Sequence, residues 1–256
     1  MTSNLVSLVR DLQRRKGRRR RGLAVAEGVR LVEEAIAAGV RLQGVVVAND
    51  LDAGARGAAL LETLGSHDVP VVTVTPRTLE QLADTDTPQG VLAVLEPPRW
   101  TLADIRPAHR APVLVLDAVQ DPGNVGTLIR TAFALGASGA LLLPGSAEPS
   151  NPKVLRAAMG ATFRLPWAMA VDGEFRAWVR EVGADLWVAA TDGTPVHRLS
   201  APERLALVVG NEGAGVRPVV REMSRASVAI PLARGAESLN VAVAAGIVLF
   251  EVTRAS

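Results

Sequence analysis

The chain is predicted to be an α/β protein, built largely on a parallel sheet with helices on both faces, and three observations predict it. Short apolar segments alternate with helical stretches along most of its length. From residue 113 onward the candidate strands are largely apolar rather than apolar at alternate positions, as in strands buried on both faces. A run holding Pro97, Pro98, Pro107 and Pro112 divides the chain in two. With 256 residues, 48% of them hydrophobic, each part can bury a core.

Ahead of residue 23 lies a basic block. Arg10, Arg14, Arg15, Lys16 and the run Arg18, Arg19, Arg20, Arg21 face one acid, Asp11. So many like charges resist burial. Residues 1–22 therefore read as a solvated basic arm or, more sharply, as an arm contacting phosphates, where each contact releases counterions. Residues 29–38 place Leu31, Val32, Ala35 and Ile36 on one helical face, with Gly39 as the stop. Residues 42–48 read as a buried strand, 55–64 as a helix and 69–74 as a strand. A short helix at 78–82, capped by Thr78, and a strand at 91–95 complete the first part. Proline lacks a backbone donor and breaks helices, so residues 98–112 read as a linker between a small α/β domain at 23–97 and a second domain at 113–256.

In the second domain, 113–116 is a strand, and 124–135 a helix begun by Asn124 as its cap and ended by Gly136. Strands follow at 138–143, 184–190 and 205–210, with helices at 153–159 and 174–182. Residues 216–223 are helical, 227–230 a short strand and 239–253 a closing helix.

Composition excludes several chemistries. The chain has no Cys, so disulfides, thiolate metal sites and thiol nucleophiles are absent. Three scattered histidines, His67, His109 and His197, predict no metal cluster. No apolar run is long enough to cross a bilayer and the first residues lack a signal-peptide core, which predicts a cytoplasmic protein. Aromatics make up 3% with no Tyr, which argues against a nucleic-acid surface of several stacked rings. All of the 28 basic residues except Lys16 and Lys153 are Arg, suited to phosphate contact and stacking on bases.

Three segments carry the candidate chemistry. In Asp117–Thr131 a strand ends at Asp117, Asp-Pro-Gly turns, and a helix carries Arg130, whose side chain leans back over Gly126 toward the carboxyl end of the strand. Ligands bind at that end in open α/β sheets. In 205–216 a buried strand enters Gly210-Asn211-Glu212-Gly213-Ala214-Gly215, a turn whose backbone can approach a ligand closely. It is not a P-loop, because Val216-Arg217 stands where Lys-Ser/Thr belongs, and no G-x-G-x-x-G occurs there. In 230–246, Ser238 can cap the last helix, and Asn240 sits in its apolar first turn, where an amide needs a specific partner.

Taken in order, these segments resemble the signature of the SpoU–TrmH family of RNA ribose 2′-O-methyltransferases, within the SPOUT superfamily. The resemblance covers about residues 113–253, and Asn151 to Ala161 is also similar to the family pattern. Glu27-Gly28 and the following helix are similar to the substrate-binding domain, a ribosomal-protein-like RNA-binding fold, that many members carry. The resemblance implies a deep trefoil knot in the C-terminal domain and a homodimer with the active site near the dimer contact. S-adenosylmethionine is the implied cofactor, held by Val209, Gly210, Ile230, Leu232 and Leu239, with Thr191 a further contact. Arg130, Asn124, Glu212, Ser238 and Asn240 match the catalytic and substrate positions, and Arg14, Arg15, Lys16, Arg18, Arg19, Arg20 and Arg21 are the RNA-binding candidates. The implied reaction is methyl transfer to a ribose 2′-hydroxyl, in 23S ribosomal RNA. A transfer-RNA target and a non-catalytic RNA-binding protein of the same fold are the alternatives. The family assigns proton removal to the arginine at position 130. A guanidinium with a pKa above about 12 is a poor base, so Arg130 is expected to bind the neighbouring phosphate and orient the hydroxyl.

Overall fold

A computed structural model describes residues 2–254; Met1 of the 1–22 arm, and Ala255 and Ser256 of the 113–256 domain, lie outside the described residues. Contacts gather the chain into two units. One holds the residues up to 99 together with 149–163, and the other holds 100–148 together with the chain from 164 on.

The first unit has a mixed four-stranded sheet of β1 (Ala24–Glu27), β2 (Leu42–Ala48), β3 (Val71–Val74) and β4 (Val91–Leu95), ordered β1-β4-β2-β3. β4 runs antiparallel to β1 and β2, and β3 parallel to β2. The two-residue strand period sends Val45 and Val47 into one core and Val46 and Ala48 into another. The first core includes Leu31, Val32 and Ala35, and Leu60 and Leu64 of the helix at 55–66. The second includes Val9, Leu12 and Leu79.

Residues 2–22 are not a solvated arm. They form α1 (Thr2–Leu12) and α2 (Arg15–Arg21), and Val9 and Leu12 are fully buried against the sheet. Asp11 reconciles the charge with packing, accepting from Arg20 Nη2 at 2.8 Å and Arg21 Nε at 2.6 Å. The Arg21 bond foremost holds the Asp11 carboxyl below its usual range. Arg18 is buried, and its Nη1 donates to the carbonyls of Leu12 and Gln13 at 3.2 and 3.0 Å. Gly17 permits the approach, since a Cβ there would lie 2.0 Å from Asp11 O. The helices that follow are α3 (Val29–Ala37), α4 (Ala55–Ser66) and α5 (Pro76–Glu80). Thr75, not Thr78, caps α5, accepting from Thr78 N at 3.3 Å with Pro76 at the first helical position.

The second unit contains β5 (Val113–Leu116), α6 (Pro122–Ala134) and β6 (Gly139–Leu142). The chain then leaves this unit for α7 (Pro152–Ala158), which belongs to the first unit. There Arg156 reaches the buried Glu27 at 3.3 Å and Asp84 at 2.7 Å. It returns through β7 (Trp167–Met169), α8 (Asp172–Val182), β8 (Asp185–Pro195), β9 (Leu205–Val209), α9 (Pro218–Arg221), β10 (Ala226–Ala229) and α10 (Val241–Thr253). The six strands are parallel throughout, in the order β10-β8-β9-β5-β6-β7. Phe175, Trp178 and Val220 of α8 and α9 cover one face, while α6 and α10 pack on the other.

The proline-rich 98–112 segment is packed rather than free. Ile105 is fully buried and its carbonyl accepts from Trp178 Nε1 at 2.8 Å, which draws the residues from 100 onward into the second unit. β7 was not anticipated; Trp167, Ala168 and Met169 are too few to show a period. β8 runs five residues beyond its expected end at 190. Its pairing with β10 jumps from Val188 to Thr194, so residues 189–193 bulge out.

Candidate active site

The carboxyl ends of β5, β9 and β10 bring the three motif segments together. After β5, Asp121 caps α6 by accepting from Asn124 N at 2.7 Å, with Pro122 at the first helical position. The expected cap, Asn124, is thereby relieved of that role and its amide is available. After β10, Asn240 rather than Ser238 caps α10, its Oδ1 accepting from Ala242 N at 2.9 Å and Val243 N at 3.4 Å. Asn240 is thus not inside the first turn but at its threshold.

A chain of polar side chains runs between the segments. Asn240 Nδ2 donates to Asn124 Oδ1 at 3.0 Å, and Asn124 Nδ2 donates to Glu212 Oε1 at 2.7 Å. Asn211 continues it, donating from Nδ2 to Ala118 O at 3.2 Å and accepting from Gly213 N and Ala214 N, both at 3.0 Å, through Oδ1. The glycine turn folds back on itself with Asn211 and Gly215 paired in both directions. A Cβ on Gly210 would lie 2.2 Å from the Gly215 carbonyl carbon, so only glycine fits.

Arg130 is exposed on α6, six residues beyond Asn124, with no hydrogen-bond or ion-pair partner among the described residues. Its charge is free to meet an anion. Ser238 is exposed and is not drawn into the polar chain among the described residues. Val209 and Gly210 are buried, Ile230 and Leu232 half-buried, and Leu239 is 39% exposed. Thr191 is exposed, at the middle of the β8 bulge.

Residues 111–250 match the model of the SpoU rRNA Methylase family. The chain belongs to this family. Residues 4–93 of the methyltransferase match the model of the MRM3-like substrate binding domain. It is 35% identical to "23S rRNA (guanosine(2553)-2'-O)-methyltransferase RlmP" of Bacillus subtilis, over 94% of this chain and 92% of that one. A solved structure described as AdoMet-bound rRNA methyltransferase from Sinorhizobium meliloti superposes with a TM-score of 0.85 at 31% identity, covering 98% of this chain and 95% of that one. The SpoU methyltransferase AviRb from Streptomyces viridochromogenes, in complex with AdoMet, gives a TM-score of 0.86 at 29% identity, with coverage of 96% and 95%.

Both of these solved structures are described with AdoMet bound. The residues present fit such a group. A flat base and a methionine arm on a sulfonium call for apolar walls and backbone donors; Ile230, Leu232 and Leu239 are apolar and at least partly exposed, whereas the Val209 side chain is buried. Within 231–239 the one backbone bond among the described residues is Ala236 N to Ala233 O, which leaves neighbouring N–H groups for a ligand.

Residue-by-residue reading of the sequence assigned no role to one cluster. Asp117, fully buried at the end of β5, accepts from Arg217 N at 2.7 Å and Arg217 Nε at 2.6 Å. The far edge of the guanidinium donates to Asp172 at 2.7 and 3.2 Å. Hydrogen bonding to Asp172, then to Asp117, raises the Arg217 pKa further, so it is cationic at any working pH. The available signal was an acid closing an apolar strand, since such a carboxylate requires a partner. Ser146 was missed as well. Its hydroxyl accepts from Val119 N at 3.1 Å and donates to Leu116 O at 2.9 Å, tying down the 117–119 loop.

Proposed function

We propose that this methyltransferase modifies the ribose 2′-hydroxyl of one nucleotide in 23S ribosomal RNA. The observation that carries the reading is the hydrogen-bonded chain Asn240–Asn124–Glu212, with the unpartnered Arg130 on the same helix as Asn124. The relatives named as 23S rRNA methyltransferases support ribosomal over transfer RNA. A non-catalytic binder would have no need to keep three distant segments joined in one polar network.

When bound, S-adenosylmethionine supplies a methyl group already activated on a sulfonium. The protein has to hold the hydroxyl in line with it, and such alignment is worth roughly 7–11 kcal/mol of barrier. Val209, Gly210, Ile230, Leu232 and Leu239 hold the cofactor, with Thr191 at the rim. Arg130 binds the phosphate beside the target ribose and orients the 2′-hydroxyl. Asn124, Glu212 and Asn240 keep the loops in register, and Ser238 touches the nucleoside. The 1–22 helices and the 23–97 domain, a ribosomal-protein-like RNA-binding fold, grip the substrate through Arg14, Arg15, Lys16, Arg19, Arg20 and Arg21. Arg18 is instead spent within the fold.

A trefoil knot in the 113–256 domain and a homodimer complete this reading. For the knot, the support is the return of the chain from the sheet edge at β10 to seat Asn240 beside Asn124. For the dimer, it is the apolar face of α6 and α10, where Phe133, Val243, Ile247 and Phe250 are 40–55% exposed. No described helix is long and apolar enough to cross a membrane, and ribosomal RNA as substrate agrees with the cytoplasm.

Tritiated-methyl transfer to unmodified ribosomal and transfer RNA, followed by nucleoside mapping, tests the target. The expected product is one 2′-O-methylated nucleotide in 23S RNA. Label confined to transfer RNA, or found on a base, would overturn the assignment.

A further inference from the structure

The loop between β9 and α9 is closed by one residue of another strand. Asp117 N donates to Val209 O at 2.8 Å, where the loop begins, and the Asp117 carboxylate accepts from both Arg217 N and Arg217 Nε, where it ends. Everything between, including Gly210 and Glu212, is strung between two attachment points on a single fully buried residue. The use of a backbone N–H and a side-chain N–H of the same arginine on the two oxygens fixes Arg217 in orientation as well as distance. Asp172, at the start of α8, then grips the other edge of the guanidinium, so the clasp cannot swivel.

We infer that Asp117 and Arg217 form a clasp that holds the glycine loop in its cofactor-binding shape, with Arg217 a positioning residue for S-adenosylmethionine. The inference rests on the proposed placement of the cofactor against Val209, Gly210 and Leu232. Neither clasp residue touches cofactor or RNA. Their effect passes through the loop backbone, and through Glu212 to Asn124. An unclasped loop would have to be ordered by the ligand itself, which weakens binding.

The test compares Arg217→Ala, Arg217→Lys, Asp172→Asn and Leu232→Ala in the full chain. The readouts are calorimetry with S-adenosylmethionine, RNA gel shift and thermal melting. Arg217→Ala should weaken cofactor binding about ten-fold or more while RNA affinity stays within about two-fold. Arg217→Lys, which restores the charge and a side-chain donor, should recover part of the loss. Asp172→Asn, on the exposed side, should cost about three-fold or less. Unchanged cofactor affinity in a folded Arg217→Ala variant overturns the clasp. So does a loss of cofactor and RNA affinity in step with melting, which marks general destabilisation. Should Arg217→Ala fail to fold, Arg217→Lys decides, and cofactor affinity within about two-fold of wild type refutes the inference. Leu232→Ala separates the two readings: if it is silent the cofactor placement fails, and if it alone weakens binding only the clasp fails.

Discussion

Arg130 and Asn124 lie on one helix and do opposite things with their polar atoms. The guanidinium has no partner among the described residues, whereas the amide spends both ends inside the protein. Arg130→Ala should therefore reduce turnover by about 10²-fold or more, the scale seen when one stabilising donor is removed from a reaction site. Cofactor affinity measured by calorimetry should stay near wild type, and its loss would sink the phosphate-anchor role. Asn124→Ala removes the partner of Asn240 Nδ2 and of Glu212 Oε1, leaving Glu212 only the longer Asn211 bond, so kcat should fall about 10- to 100-fold, or about 1.4–2.7 kcal/mol. The sequence alone marked both residues, but it assigned Asn124 a capping role. Asp and Asn cap equally well, and only the coordinates reveal that Asp121 took the position.

At the scale of elements, Asn240 serves a helix and a site at once. Its oxygen caps α10 and its nitrogen reaches Asn124, so the two roles can be separated. Asn240→Asp should keep the cap and the melting temperature, yet lose the donor to Asn124 and with it most activity. An unaltered rate would show that this link is dispensable. Trp178 pins the start of the second unit through Ile105 O. Trp178→Phe strands that buried carbonyl and should cost about 1–3 kcal/mol in denaturant unfolding. The exposed face of α6 and α10 makes a further prediction. Phe250→Asp should convert a dimer to a monomer by light scattering, and a wild-type monomer would refute that interface. Strand and helix positions were mostly legible because apolar runs and turn residues mark them. β7 and the β8 bulge were not, because pairing geometry sets them.

For the molecule as a whole, charge is the readable quantity. Charge reversal at Arg14, Arg15 and Lys16 should weaken RNA binding at low salt and flatten the salt dependence by about 0.7 per lost single-strand phosphate contact. Unchanged slopes would remove α1 and α2 from the RNA surface. Asp11 adds a pH limit. Its folded pKa lies below the usual value of 3.8, so its contribution is present above that value and is lost as pH falls through the folded pKa. Local melting of α1 and α2 in acid, followed by amide exchange, should be suppressed by salt-independent packing of Val9 and Leu12 only in part.

The sequence by itself determined the α/β class and the family, and marked most of the residues gathered at the strand ends. Hydrophobic period and motif order are local properties, and they survive in a linear reading. Which amide caps and which reaches across, that Arg18 is buried, that 149–163 joins the first unit, and that Asp117 closes the loop at Arg217 were decided by tertiary structure. Such choices depend on partners as far as 129 residues apart in sequence, and a buried polar atom takes whichever partner folding brings within about 3 Å.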